Sequence, residues 1–176
     1  QVSFYFMNNI ADETIFNRAR RQVLINAVPF VVLFLIFVGV TLTADGYELN
    51  PVNGEVFVRK YKYFFNLIEM PWVAVMFLIG VVSVLYAIIR AAFSKTWICG
   101  IWYSGIGTVL VVLSLFFLVG YNNTPYYPSA VDLQSSLTIY NSSSSLFTLE
   151  VMTVVSFLVP FVLAYIVYAW RAMDKK

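Results

Sequence analysis

Four long apolar stretches contain none of the 20 charged residues (11 Lys and Arg, 9 Asp and Glu) of this 176-residue chain, and that fixes its solvent. The stretches run roughly over residues 22–43, 70–89, 97–120 and 151–170. A helix of about 20 residues, rising ~1.5 Å per residue, spans the ~30 Å hydrocarbon core of a bilayer. A Lys, Arg or Asp at mid-span would cost roughly 2.5–3.5 kcal/mol on insertion scales. The pattern predicts an all-α integral membrane fold with four transmembrane helices. A soluble helical protein is the alternative, but its core helices keep a polar stripe. Phe30 to Val40 has none. The 11% charged share is also far below the quarter or so usual in soluble domains.

The residue types exclude several chemistries. Histidine is absent and Cys99 is the single cysteine, so neither a histidine haem ligand nor a cysteine metal cluster can come from this chain. Met70, Met76, Met152 and Met173 lie in or near the apolar stretches, where adaptable packing explains them better than iron ligation. The net charge of +2 gives no footprint for nucleic acid. No nucleophile–base pair or phosphate-binding loop is visible, so the expected catalytic, cofactor-binding and metal-binding residues are none.

Residues 1–21 are expected to hold the end of a preceding helix and a cytoplasmic linker or short surface helix, with Arg18, Arg20 and Arg21 as headgroup anchors. Residues 22–176 are expected to form the four-helix unit, joined by long outer loops at 44–69 and 121–150. Val2 to Met7 reads like the last turns of a helix that began earlier, which suggests a piece of a longer membrane protein. Lys and Arg divide unevenly between the two faces. Arg18, Arg20, Arg21, Arg90, Lys95, Arg171, Lys175 and Lys176 fall on one side, and Arg59, Lys60 and Lys62 on the other. The positive-inside rule then places both ends in the cytoplasm and the long loops outside. Such loops are longer than helix connections usually need and suggest a docking surface or lid. Tyr121, Tyr126, Tyr127, Leu133, Leu137, Ile139 and Tyr140 interrupt the polar run of the second, which predicts an ordered cap. Thr148 or a nearby Ser is a candidate helix cap.

The short connection near residue 94 makes the second and third spans antiparallel neighbours. Gly80, Ser83, Ala87 and Ala91 line one face of the second span. Gly100, Ser104, Gly107, Thr108 and Val111 line one face of the third. Small residues let helix backbones approach closely in lipid. Pro29 and Pro160 should bend their helices. Trp72, Trp97, Tyr168 and Trp170 read as an interfacial belt. Trp102 sits deeper and is expected to pack on another helix.

Glu69 and Glu150 precede apolar spans, where a carboxylate meets the positive end of a helix dipole or handles a proton. Asp45, Glu48 and Glu55 form a solvated loop surface or a weak cation site. Ser83, Thr108, Ser114, Thr153 and Ser156 are expected to bond back to their own helix.

One set of residues goes further. Tyr127-Pro128-Ser129, Ser136-Leu137-Thr138-Ile139-Tyr140-Asn141-Ser142-Ser143-Ser144, Thr148-Leu149-Glu150-Val151-Met152, and Val159 to Tyr165 with Trp170 resemble the C-terminal region of subunit II of the cytochrome bd-type quinol oxidases. Asn8-Asn9-Ile10, Arg18-x-Arg20-Arg21 and Asn26-Ala27-Val28 resemble that subunit's middle. The resemblance covers nearly the whole chain and is weakest from Thr43 to Leu67. It implies the second four-helix unit of a larger eight-helix subunit in a prokaryotic cytoplasmic membrane. It also implies a heterodimeric oxidase that oxidises quinol and reduces oxygen to water. Haem b, haem d and the quinol site would then belong to subunit I, the partner. This haem-free chain would act as scaffold beside subunit I and the N-terminal half of its own subunit, with membrane lipid and quinone tails in apolar grooves. The family's acidic residues associated with proton uptake lie in that N-terminal half. Two other readings stand beside this one: half of a membrane transporter, or a stand-alone tetraspan adaptor.

Overall fold

The computed structural model describes residues 1–94 and 97–173. Lys95, Lys175 and Lys176, which enter the charge count above, lie outside the described residues. Among the described residues four helices are long and apolar enough to cross a membrane: Glu13–Thr43 (α2), Pro71–Phe93 (α4), Gly100–Gly120 (α5) and Leu146–Met173 (α7). The short helix Val2–Asn9 (α1) precedes them, and between them lie the short helices Lys62–Glu69 (α3) and Ile139–Ser142 (α6) and an antiparallel hairpin of Gly46–Leu49 (β1) and Val56–Arg59 (β2). The chain divides into two compact units, the first being Gln1–Ile139 and the second beginning at Tyr140.

The centre of the first unit is the antiparallel pair α4 and α5. On α5 the buried positions are Gly100, Ser104, Gly107, Val111, Ser114 and Leu118, alternating by four and three residues. On α4 they are Val73, Gly80, Ala87 and Ala91. Such spacing draws one continuous seam along a helix. At its middle a Cβ on Gly107 would lie 2.7 Å from the Gly80 carbonyl oxygen, and one on Gly80 would lie 2.8 Å from the Gly107 oxygen. The two backbones therefore touch, which only glycine allows here. Tyr86 meets Tyr103 at one end of the pair (ring centroids 5.2 Å), and Trp72 meets Phe117 at the other (4.9 Å).

α2 packs on α4, also antiparallel. Phe34 stacks near Phe77, and at the far end Arg20 donates from Nε to the Ala91 carbonyl (2.8 Å) and from its guanidinium to the Ala92 carbonyl. The last carbonyls of a helix lack intrahelical donors, so Arg20 closes the C-terminus of α4. Arg18 and Arg21 are exposed.

Several boundaries differ from the sequence expectation. The boundary at residue 22 falls inside α2. The helix starts nine residues earlier, at Glu13, where Asp12 caps it by accepting from the amides of Thr14 (2.8 Å) and Ile15 (3.0 Å). Those amides hold the Asp12 carboxyl below its ordinary range. Loop 44–69 holds a hairpin and a helix, because Asn50-Pro51 and Gly54 (φ +71°) turn the chain back between two β-rich runs. α7 begins at Leu146, with Ser145 Oγ near the Thr148 amide (3.4 Å). Trp102 is 67% exposed. Pro29 and Pro160 stand inside uninterrupted helices, each removing one backbone donor.

The glycine contact predicts opposite outcomes for neighbouring positions. Gly107→Leu has to displace backbone and should cost roughly 1–3 kcal/mol, the range for overpacking. Nothing lies within 4 Å of a Cβ on Gly105, so Gly105→Ala should be neutral or slightly stabilising. Thermal unfolding of the detergent-solubilised protein measures both.

Candidate functional site

The richest polar cluster lies where the hairpin meets the ends of α3 and α5. It begins with a turn. After Gly120 the chain places Asn122 (φ +56°) and Asn123 (φ +54°) in the left-handed region, which asparagine tolerates better than most side chains. This turn aims the Asn122 carbonyl at Lys62 Nζ (3.2 Å) and lets the Asn123 carbonyl accept from the Leu49 amide of β1 (2.7 Å).

α3 supplies the buried side. Lys62 and Asn66, one turn apart, are both fully buried. Lys62 Nζ also sits 3.1 Å from Glu48 Oε1 on β1. A Cβ on Gly46 would lie 2.7 Å from Lys62 Cβ, so the glycine lets β1 close over the lysine stem. Asn66 donates from Nδ2 to the Leu118 carbonyl (3.0 Å) and to Thr124 Oγ1 (2.8 Å), and accepts from Asn122 Nδ2 (3.1 Å). Arg59 on β2 reaches Glu48 Oε2 (3.0 Å) and Glu69 Oε1 (3.3 Å), with its guanidinium 4.7 Å from the Phe65 ring centroid. Asn122 donates in turn to Glu69 Oε2. Gln134 completes the closure by pairing with the Val56 amide (2.9 Å) and carbonyl (3.1 Å). Residues 44–69 and 121–137 thus form one ordered cap on the α4–α5 pair, its second strip held by the Tyr127–Leu137 bridge.

Burial pushes the Glu48 carboxyl up, but hydrogen bonds from Lys62 and Arg59 and their charges outweigh it, leaving the group below its ordinary value of 4.5. The Glu48 hydrogen bond, against slight desolvation, raises Arg59 further. Glu48 is therefore a committed anion between two cations.

The acidic residues noted in the sequence do not converge. Glu69 ends α3 and pairs with Arg59; it does not cap α4. Asp45 accepts from the Tyr61 amide (3.4 Å), and Glu55 accepts from Asn53 (2.8 Å). Glu150 lies exposed within α7. Among the described residues no group of three or more His, Cys, Asp or Glu is placed to hold a metal ion. The mid-span hydroxyls bond back to their own helices: Ser83 to Ile79, Thr108 to Ser104, Ser114 to Leu110, Thr153 to Leu149 and Ser156 to Thr153. Sequence reasoning used Lys62 only in the charge count of the outer face and passed over Asn66. Their four-residue spacing on a short amphipathic helix was the available signal.

A membrane protein with this organisation matches a known family over its length. Residues 2–173 fit the family model of cytochrome bd terminal oxidase subunit II. The chain is 29% identical over 176 residues to the probable cytochrome oxidase subunit 2 of Haemophilus influenzae, covering 92% of this chain and 44% of that protein. The chain belongs to the cytochrome bd terminal oxidase subunit II family. It spans under half the length of that relative.

The cap predicts a pH dependence. A carboxyl held below its ordinary value adds stability above that value and loses it as pH falls through the folded-state value. Thermal stability should therefore fall as pH drops below 4.5. Glu48→Gln should be less stable at neutral pH and fall less steeply in acid, leaving the smaller share due to groups such as Asp12. Lys62→Met should cost roughly 1.5–3 kcal/mol at pH 7, the worth of a charged hydrogen bond.

Proposed function

We propose that this chain is the second four-helix unit of a haem-free subunit II, and that it serves as scaffold for the haem-bearing subunit of a bd-type quinol:oxygen oxidoreductase. The family match over residues 2–173 carries the reading. In this reading the complex oxidises quinol and reduces oxygen to water, with haems b and d held by the partner subunit. The residues here do not fit a haem. Histidine is absent from the sequence, and no methionine lines either of the two larger cavities.

Where polar groups are used supports the scaffold reading. Lys62, Asn66 and Arg20 satisfy carbonyls at helix ends and turns. The mid-span hydroxyls satisfy their own backbones. Neither set leaves a proton carrier at depth, which weighs against the transporter reading. Large apolar side chains remain exposed along α2 and α5, such as Leu33, Phe37, Val109 and Phe116. In lipid such faces can take acyl chains or another apolar helix. We place the hairpin cap on the outer side of a prokaryotic cytoplasmic membrane, where the three cations Arg59, Lys60 and Lys62 are the minority.

The test is a reduced-minus-oxidised visible spectrum of the complex purified through a tag on this chain. The reading expects haem b bands together with a red-shifted chlorin band. A correctly inserted, intact preparation without haem would overturn it.

A further inference from the structure

The tip of the hairpin holds a chemically labile pair of neighbours, and we propose that Asn53-Gly54 is a site of spontaneous deamidation whose rate Glu55 restrains. Such a site goes beyond the scaffold reading and does not depend on it.

Asparagine is among the chemically labile residues, because the backbone nitrogen of the next residue can attack its side-chain amide. Here the Gly54 nitrogen, after losing its proton to hydroxide, bonds to Asn53 Cγ. The Cγ–Nδ2 bond breaks and ammonia leaves, which closes a cyclic imide. Water then opens the ring. Cleavage at the side-chain carbonyl leaves aspartate, and cleavage at the backbone carbonyl leaves isoaspartate, with the main chain rerouted through Cβ. No oxidant or reductant is needed. A following side chain is the usual obstacle, and glycine has none. Among the asparagines of the sequence only Asn53 precedes glycine. Asn50 precedes Pro51, which has no N–H, and so cannot close this ring. Nucleophile and electrophile are adjacent in one turn, so cyclisation requires no open face of the protein.

The tip lies between Leu49, which ends β1, and Val56, which starts β2. Residues 51–55 are exposed. Glu55 holds the Asn53 amide at both of its atoms. Asn53 Nδ2 donates to Glu55 Oε2 (2.8 Å), and the Glu55 backbone amide donates to Asn53 Oδ1 (3.2 Å). The nucleophile is held as well, since the Gly54 amide donates to the Asn50 carbonyl (2.9 Å). Loss of ammonia requires Nδ2 to part from the Glu55 carboxylate. Loss of the Gly54 proton requires that amide to leave Asn50. The first of these restraints belongs to a side chain and is open to substitution.

The product has a structural consequence. A carboxylate at position 53 has no proton to donate to Glu55, so two like charges face each other where a hydrogen bond stood. Such pairs repel, and the turn opens at the end of the hairpin remote from Lys62.

The test follows the full-length tagged protein, purified as the intact complex, in warm, mildly alkaline buffer. Peptides spanning position 53 are read over time by mass spectrometry, with fragmentation that tells isoaspartate from aspartate. In the wild type the expected result is gradual conversion of Asn53 to both acids, with Asn50 intact. Glu55→Ala should convert roughly fivefold faster, the worth of one hydrogen bond. Glu55→Gln keeps an oxygen that accepts from Nδ2 and should stay near the wild-type rate. Glu55 is exposed, so both variants leave the packed cap in place. No conversion in either the wild type or Glu55→Ala overturns the site. An equal or slower rate in Glu55→Ala overturns the restraint, as does a Glu55→Gln rate that matches Glu55→Ala. Conversion confined to Glu55→Ala supports both the site and the restraint.

Discussion

Helix ends are the expensive places in a membrane protein, and the hairpin cap is organised around one of them. The last carbonyls of α5 have no donor within the helix, and lipid offers none. Asn66 gives one to Leu118, and the same amide holds Thr124 and receives Asn122. This one side chain thereby fixes the path by which the chain leaves α5. Lys62, a turn earlier, takes the Asn122 carbonyl and Glu48 together and so ties β1 to that path. The hairpin, α3 and the strip to Leu137 hang from these contacts. A break at Asn66 would leave a buried carbonyl, a buried hydroxyl and a buried turn to find new partners.

The opposite end of the helix pair uses the same logic with different residues. Arg20, reaching from α2, supplies the donors for Ala91 and Ala92 at the end of α4. Between the two ends, Gly80 and Gly107 bring the backbones into contact, and serine and threonine hydroxyls turn inward to their own carbonyls. Among the described residues, no buried side-chain nitrogen or oxygen lacks a partner. Polar chemistry here serves to complete backbones and join segments. That use of polar groups is what the proposed scaffold role would require.

The spans were legible in the sequence because charge avoids hydrocarbon so strongly that 20 charged residues outline four helices. The α4–α5 seam was legible as well, since glycine, serine and alanine recur at helical spacing. The cap was less so. Lys62 follows Arg59 and Lys60, and in the sequence it counts only as one of three cations of an outer loop; only the fold shows that a glycine at position 46 lets a strand bury one of them. Asn66 gave only its four-residue spacing from Lys62 as a signal, because its partner is a carbonyl 52 residues away. Arg20 read as a headgroup anchor because the helix end it caps is 71 residues distant.

The central claim is that Asn66 carries the cap, and amide hydrogen exchange on Asn66→Ala in the assembled protein tests it most directly. The account predicts faster exchange in Gly46–Leu49, Val56–Arg59 and residues 121–137, with Pro71–Phe93 as slow as in the wild type. Unchanged exchange in the hairpin, or loss of protection spread evenly into α4, would contradict it.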